Sequence, residues 1–375
     1  MKAPRMAISG LNRRWAGLLG LVLALNLLLL VHPSVVRSFV DDELGDFGAF
    51  IHSGKAAREG LNPYAYHEAI EPKPTRPDGL NLNPPISVVA FDLLARIDLG
   101  LAWGIIQGAS LAALSVLLFL LRRRFGASVL TLAAVVSAPL EWPVVWQTVA
   151  IGQIYLLLGL LSFGAWLALE RGRLTLAGIL IGVLASFKPT FLLWPAILMV
   201  SGHRPAGAMA VATTALIGIV PLAIYGPVIY SQWLDVPVWD GVVAYWPAQN
   251  VALSAMAGNL AWGMALGGIA AAVTIVWCAW SRPAAMKSSA VALIVALLVG
   301  PVSWPHYFLI ALPAVFFVAR GWALITVLTL LVLGLPGFAA LVLVGQVILA
   351  FRRSTITSVQ MSEIYAPVPV PVTPA

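Results

Sequence analysis

Gly45-Asp46-Phe47-Gly48-Ala49-Phe50-Ile51-His52-Ser53-Gly54-Lys55-Ala56-Ala57-Arg58-Glu59-Gly60-Leu61-Asn62-Pro63-Tyr64 lies near the start of the chain, and its pattern decides how the rest is understood. Phe47, Phe50, Ile51 and Gly54 recur at helical spacing, while His52, Lys55, Arg58 and Glu59 occupy the other side. Gly60 stops the helix and Asn62-Pro63 prevents it from restarting. This amphipathic helix sits in a polar loop, 32–83, inside a chain otherwise made of apolar runs. A carboxylate, Asp46, heads it. Two roles fit that position: a helix N-cap, or a general base working at a membrane face.

Working outward, composition fixes the class. Of 375 residues, 61% are hydrophobic and only 10% charged, as in an integral membrane protein rather than a soluble one. The net charge of +7 does not indicate nucleic acid, because the basic residues fall in ones, twos and threes between apolar runs, where topology signals lie. The single cysteine, Cys278, excludes an internal disulfide and a cysteine-based zinc site.

The apolar runs alternate with basic ends. The first, 15–31, follows Lys2, Arg5, Arg13 and Arg14 and has no small-x-small cleavage site after it, so an uncleaved helix with an inside N-terminus is expected. The next runs are 99–121, 127–140, 152–169, 174–187, 189–200, 206–225, 263–280, 289–302, 307–319, 322–334 and 337–351. Nearly every inward end carries Arg or Lys, for example Arg122-Arg123-Arg124 and Arg171. The pattern predicts an all-α polytopic membrane protein with about twelve spans, some of them short for the ~20 residues a span needs. Ten of the 15 acidic residues lie between Asp41 and Asp98, on the outer face. The segment 84–97 is short, carries Asp92 and Arg96, and is expected to form an interfacial helix. The expected organisation is one transmembrane domain, 1–351, with a first outer loop at 32–98, a second at 226–262, and a disordered cytoplasmic tail at 352–375. Trp233, Trp239, Tyr245 and Trp246 in the second loop suit the water–lipid boundary.

Further residues can carry chemistry. Lys188 separates two short apolar runs just before Pro189. It can snorkel to the interface or hold a lipid phosphate as a point charge. Gln153 can bond a sugar or a neighbouring helix. His306, in Ser303-Trp304-Pro305-His306-Tyr307, can meet a phosphate, meet a sugar hydroxyl, or be a structural group. Asp41, Asp42 and Glu43 can replace Asp46 as base or hold a cation. The chain lacks HExxH, a Walker A motif and a helix-opening GxGxxG, and it has no cytoplasmic domain for a nucleotide sugar. A sugar donor would have to arrive on a lipid.

An ordered set of pieces resembles glycosyltransferase family 87, the bacterial polyprenyl-phosphate-sugar-dependent transferases of the GT-C fold. The pieces are Asp46-Phe47, Gly60-Leu61-Asn62-Pro63-Tyr64, Asn83-Pro84-Pro85, Gly152-Gln153-Ile154-Tyr155, Leu176-Ala177-Gly178, Phe187-Lys188-Pro189-Thr190, Gln249-Asn250 with Ser254, and Ser303-Trp304-Pro305-His306. Asn83 stands where the family usually has Tyr, and Tyr307 where it often has a second His. The resemblance implies a GT-C fold, a periplasmic active site, two interfacial helices in the first loop, a carboxylate base at Asp46, and a polyprenyl-phosphate hexose, often mannose, as donor. The expectation is therefore an inverting hexosyltransferase of the bacterial inner membrane, with both termini cytoplasmic. Asp46 would be the base, and Lys188, His306 and Gln153 would bind the donor. Its partners would be the lipid-linked sugar, a glycolipid or glycan acceptor and the bilayer, with no nucleic acid. No cofactor or bound metal is expected, although a divalent cation near Asp41, Asp42 and Glu43 stays open. The alternative is a multi-span transporter or lipid flippase, which would show internal repeats and midplane charges.

Overall fold

The computed structural model describes residues 44–72, 81–137, 144–236, 250–319, 321–332 and 337–349. The expected helix at 15–31, the acidic residues Asp41, Asp42 and Glu43, and the tail at 352–375 lie outside them, as do Trp239, Tyr245 and Trp246. All regular elements among the described residues are helical.

The loop helix forms where its pattern places it, but it is not amphipathic as expected: His52 and Ser53 are as buried as Phe50, because the helix is enclosed by its neighbours on nearly all sides. Helix α1, Gly45–Arg58, ends at Glu59, with Gly60 in a left-handed conformation at φ 76°. Helix α2, Pro85–Leu94, begins on Pro85, whose missing N–H is no loss in the first turn. Ten residues reach about 15 Å, too short to cross a bilayer. The two helices pack together tightly: a Cβ on Gly54 would come within 2.6 Å of the Asp92 backbone nitrogen. Asp92, almost fully buried, takes Arg58 at 2.6 Å and Arg96 at 2.7 Å and so ties α1 to the end of α2.

Next come α3 (Leu99–Phe125), α4 (Val129–Ser137), α5 (Val144–Ala150), α6 (Tyr155–Glu170), α7 (Leu174–Phe187) and a 3₁₀ turn, Pro189–Leu192, leading into α8 (Leu193–Val200). The chain continues through α9 (Arg204–Tyr225), α10 (Val228–Leu234), α11 (Leu253–Met256), α12 (Leu260–Ser281), α13 (Ala285–Val299), α14 (Tyr307–Val318), α15 (Trp322–Val332) and α16 (Gly337–Leu349). Short α5 was not anticipated, since seven residues between two longer apolar runs carry too little pattern to register.

Three helices, α3, α9 and α12, are long and apolar enough to cross a membrane. Their exposed sides are apolar, the reverse of a soluble protein: Leu216 on α9 is 67% exposed and Val276 on α12 is 68% exposed. Trp262 and Trp280 project from opposite ends of α12, 71% and 85% exposed. Eighteen residues separate them, about 27 Å at 1.5 Å per residue, close to the ~30 Å hydrocarbon thickness. They stand where an aromatic belt would anchor the helix. The protein is embedded in a membrane.

The other apolar helices are shorter than the expected twelve crossings would suggest. Helix α7 has 14 residues and α14 has 12, about 21 and 18 Å. Helices α6, α13 and α14 pack together in the core, α13 and α14 buried on nearly every side, and α7 packs against α6. Close approach is made by small residues. A Cβ on Gly178 or Gly182 would meet the carbonyl of Ala206 or Ala210 at 2.6 Å, so α7 lies directly against α9. Lys188 follows the end of α7 and His306 precedes the start of α14, so both stand at helix ends.

Candidate active site

The site begins at the turn between α5 and α6. Gly152 adopts φ 68°, and a Cβ there would come within 2.5 Å of Phe47 Cβ and 2.6 Å of the Trp103 ring. Only glycine combines this conformation with this approach. The first turn of α1 docks on the same turn, where the Phe47 N–H donates to the Ile151 carbonyl at 2.9 Å. Docking brings Asp46 to Gln153, whose Nε2 donates to Asp46 Oδ2.

The cap role for Asp46 does not hold. Helix α1 starts one residue earlier, Leu44 occupies the cap position, and no side chain caps the helix. The carboxylate instead turns toward the core, on a residue that is half-buried overall. Burial raises its pKa above the usual aspartate value, and the Gln153 hydrogen bond and the Lys188 charge offset part of that rise. A carboxylate so placed is a stronger proton acceptor than a solvated one.

Lys188 sits in extended backbone, φ −137°, between α7 and the 3₁₀ turn that Pro189 begins. It is buried, so the snorkelling alternative fails. Its Nζ donates to Asn83 Oδ1 at 2.5 Å and lies 4.6 Å from the Tyr155 ring centre and 5.2 Å from that of Tyr307. Two ring faces and one amide oxygen therefore hold the cation. No carboxylate among the described residues comes within 4.0 Å of it, although Asp46 is close enough to interact electrostatically. Asn83 is itself fixed from behind: its N–H and Nδ2 both donate to Asn81 Oδ1, and Asn81 Nδ2 donates to Ser53 on α1 and Ser87 on α2.

His306 completes the cluster. It is buried, with its ring centre 4.8 Å from that of Tyr155, and its Nδ1 has no hydrogen-bond partner. Gln153 Oε1 is likewise buried and unpaired. Both atoms are free to bond a polar group. The structure thus gathers Asp46, Gln153, Lys188 and His306 around Tyr155.

Sequence reasoning missed the partners. Asn83 was visible only as a departure from a family pattern, yet it is the hydrogen-bond acceptor for Lys188. Tyr155 and Tyr307 supply the ring faces. Asn250 and Ser254 hold the loop before His306: Asn250 Oδ1 accepts from the Ser303 N–H at 2.9 Å, and Ser254 Oγ donates to the Pro301 carbonyl at 2.6 Å. Those contacts join residues about fifty positions apart, and no local periodicity reveals them. Among the described residues no cluster of three or more His, Cys, Asp or Glu could hold a metal ion.

The structure thus sets a carboxylate, a caged ammonium and an unpaired imidazole close together in an all-helical membrane protein. The family model described as glycosyltransferase family 87 matches residues 81–304, more than half of the chain, and the chain belongs to that family of membrane glycosyltransferases. Gln153 and Lys188 lie inside the matched range, whereas Asp46 precedes it and His306 falls just beyond it. No curated protein and no solved structure matches the chain.

Proposed function

We propose that this glycosyltransferase moves a hexose, with mannose favoured, from a polyprenyl-phosphate donor to an acceptor hydroxyl at the periplasmic face of the bacterial inner membrane. The observation that carries the proposal is Lys188, a buried ammonium with no carboxylate partner within bonding distance, set beside the Asp46 carboxylate that Gln153 orients. A buried cation without an anion is expensive in free energy, and a phosphate would neutralise it.

In the proposed reaction Asp46 takes the proton of the acceptor hydroxyl. The acceptor oxygen bonds to the anomeric carbon, and the bond from that carbon to the phosphate oxygen breaks. Polyprenyl phosphate leaves, its new charge stabilised by Lys188 and by the unpaired nitrogen of His306. A single displacement from the opposite face inverts the anomeric configuration. The lipid carrier fits a chain of this composition, because its tail can remain in the bilayer while the phosphate enters the site. The acidic outer loop and the basic inner ends support an outward-facing site.

Purified protein in nanodiscs, supplied with a panel of polyprenyl-phosphate hexoses and an acceptor extract, provides the test. Transfer from at least one lipid-linked donor, with inverted linkage, is expected. Transfer only from a nucleotide sugar would overturn the donor assignment.

A further inference from the structure

A cleft of about 340 Å³ lies away from Asp46, between the segment that follows α1 and helix α10. Asn62, Tyr64 and Tyr66 line one side, and Gln232, Asp235 and Val236 the other. Tyr64 and Val236 belong to a small apolar cluster with Val88 and Ile229, which makes a firm floor. Tyr66 is held in advance. Its ring stacks on His52 at 5.9 Å and 8° between planes, and His52 is fixed by the Pro72 carbonyl at 3.2 Å and the His67 N–H at 3.2 Å. Gln232 and Asp235, three residues apart, fall on one face of the end of α10. Neither side chain has a hydrogen-bond partner among the described residues.

The chemistry of this lining selects its ligand class. A cleft of this size suits a small ring or two. Among the described residues Asp235 is its one charged group, so it would repel a phosphate, and one carboxylate does not make a metal site. The amide and carboxylate rim would leave a lipid tail against unsatisfied polar groups. The Tyr66 ring next to amide and carboxylate groups matches a neutral polyol ring, whose C–H face packs on an aromatic while its hydroxyls bond the rim. The cleft also shares a wall with the active site. The Tyr64 hydroxyl donates to the Asn83 carbonyl at 3.1 Å, and the Asn83 side chain accepts from Lys188. Asp46 and Arg58 lie twelve residues apart on α1, about 18 Å along the axis. A cleft that begins at Asn62 therefore stands a few sugar units from the carboxylate.

We infer that this cleft is an acceptor subsite that binds a neutral hexose unit within a glycan chain whose growing end reaches Asp46. The acceptor is then an oligosaccharide or longer glycan rather than a single sugar. The use made of the bound glycan rests on the transferase proposal; the binding itself does not.

The test uses full-length protein in nanodiscs without donor and saturation-transfer NMR with linear mannose, glucose and galactose oligosaccharides of increasing length. The parent, Tyr66→Ala, Gln232→Ala and Asp235→Asn are compared after thermal unfolding shows each to be folded. At least one series should bind at millimolar concentration, more tightly as it lengthens, and lose about tenfold in Tyr66→Ala and Asp235→Asn. With donor added, the same variants should raise KM for the long acceptor while keeping kcat. No signal from any series, or equal binding by parent and all three variants, overturns the subsite. Variant-sensitive binding without transfer from any lipid-linked donor would leave the subsite standing and sink the transferase proposal. Transfer with an unchanged acceptor KM would do the opposite. Asp235→Asn, an exposed and nearly isosteric change, keeps the test decisive if Tyr66→Ala does not fold.

Discussion

Replacing Asp46 with Asn separates chemistry from architecture at the candidate site. Burial is the largest influence on this carboxyl and raises its pKa above the unfolded value of 3.8. An acid with a raised folded pKa adds stability only while protonated. That contribution is complete below the unfolded value and is lost as the pH rises through the folded one. At neutral pH the ionised side chain therefore opposes folding. Asn removes the charge and keeps an oxygen for Gln153 Nε2. It exchanges a charge-assisted hydrogen bond for a neutral one, a loss of about 1 kcal/mol, and the relieved desolvation outweighs that loss. The melting temperature should stay level or rise. Turnover should fall by roughly 10²- to 10⁴-fold, about 3–5 kcal/mol of barrier. Measuring sugar transfer and thermal unfolding on the same nanodisc preparations, beside Asp41→Asn, Asp42→Asn and Glu43→Gln, decides the matter. The parent's rate should decline on acidification with a midpoint above 3.8. Gln153→Leu, which takes away the bond that lowers this pKa, should move the midpoint higher still. An Asp46→Asn enzyme that transfers at the parental rate refutes the base assignment. One that is inactive because it no longer folds refutes the energetic argument.

Lys188→Ala should raise KM for the lipid-linked donor at least tenfold and leave KM for the acceptor nearly unchanged, whereas Lys188→Arg keeps the charge but not the fit between Tyr155 and Tyr307; initial rates with each substrate varied separately would reveal an unaltered donor dependence if the assignment is wrong. Asn250→Ala leaves the Ser303 and Ala252 N–H groups without their acceptor and should destabilise the fold by about 1–3 kcal/mol, seen as a lower melting temperature. In a Cys278→Ser background, cysteine at Glu68 should react with an impermeant reagent from outside and cysteines at Arg123, Arg171 and Arg282 from inside; the reverse pattern would turn the active site to the cytoplasm.

The class of the protein was legible because hydropathy is a bulk property, and a chain this apolar has few alternatives to a membrane. The loop helix was legible because Phe47, Phe50 and Ile51 keep one period and Gly60 ends it. The break at Lys188-Pro189 was legible because proline forbids continuation of α7. The number of crossings was not, since an apolar run of 12 to 16 residues looks the same whether it crosses with a tilt or ends inside the protein. Only the packing of α6, α7, α13 and α14 identifies those helices as core elements. The partners of the site residues were not legible either. Gln153 meets Asp46 across 107 positions and Asn83 meets Lys188 across 105, and a single sequence carries no record of such pairings.

Two carboxylates of the α1–α2 pair show how environment rather than residue type assigns a role. Asp92 is nearly closed off from solvent, and two arginines fork onto it, so its charge is balanced and its oxygens are occupied. Removing either arginine would leave a poorly compensated buried ion, and such pairs hold helices in register. Asp46 hydrogen-bonds only a neutral amide and faces a cation held too far away to neutralise it. A structure selected for stability alone would close that gap, either by bringing Lys188 onto Asp46 or by replacing both with apolar side chains. In the proposed reaction, keeping the two charges apart would leave the carboxylate for the acceptor hydroxyl and the ammonium for the phosphate. The cost in stability and the capacity for transfer thus arise from the same separation.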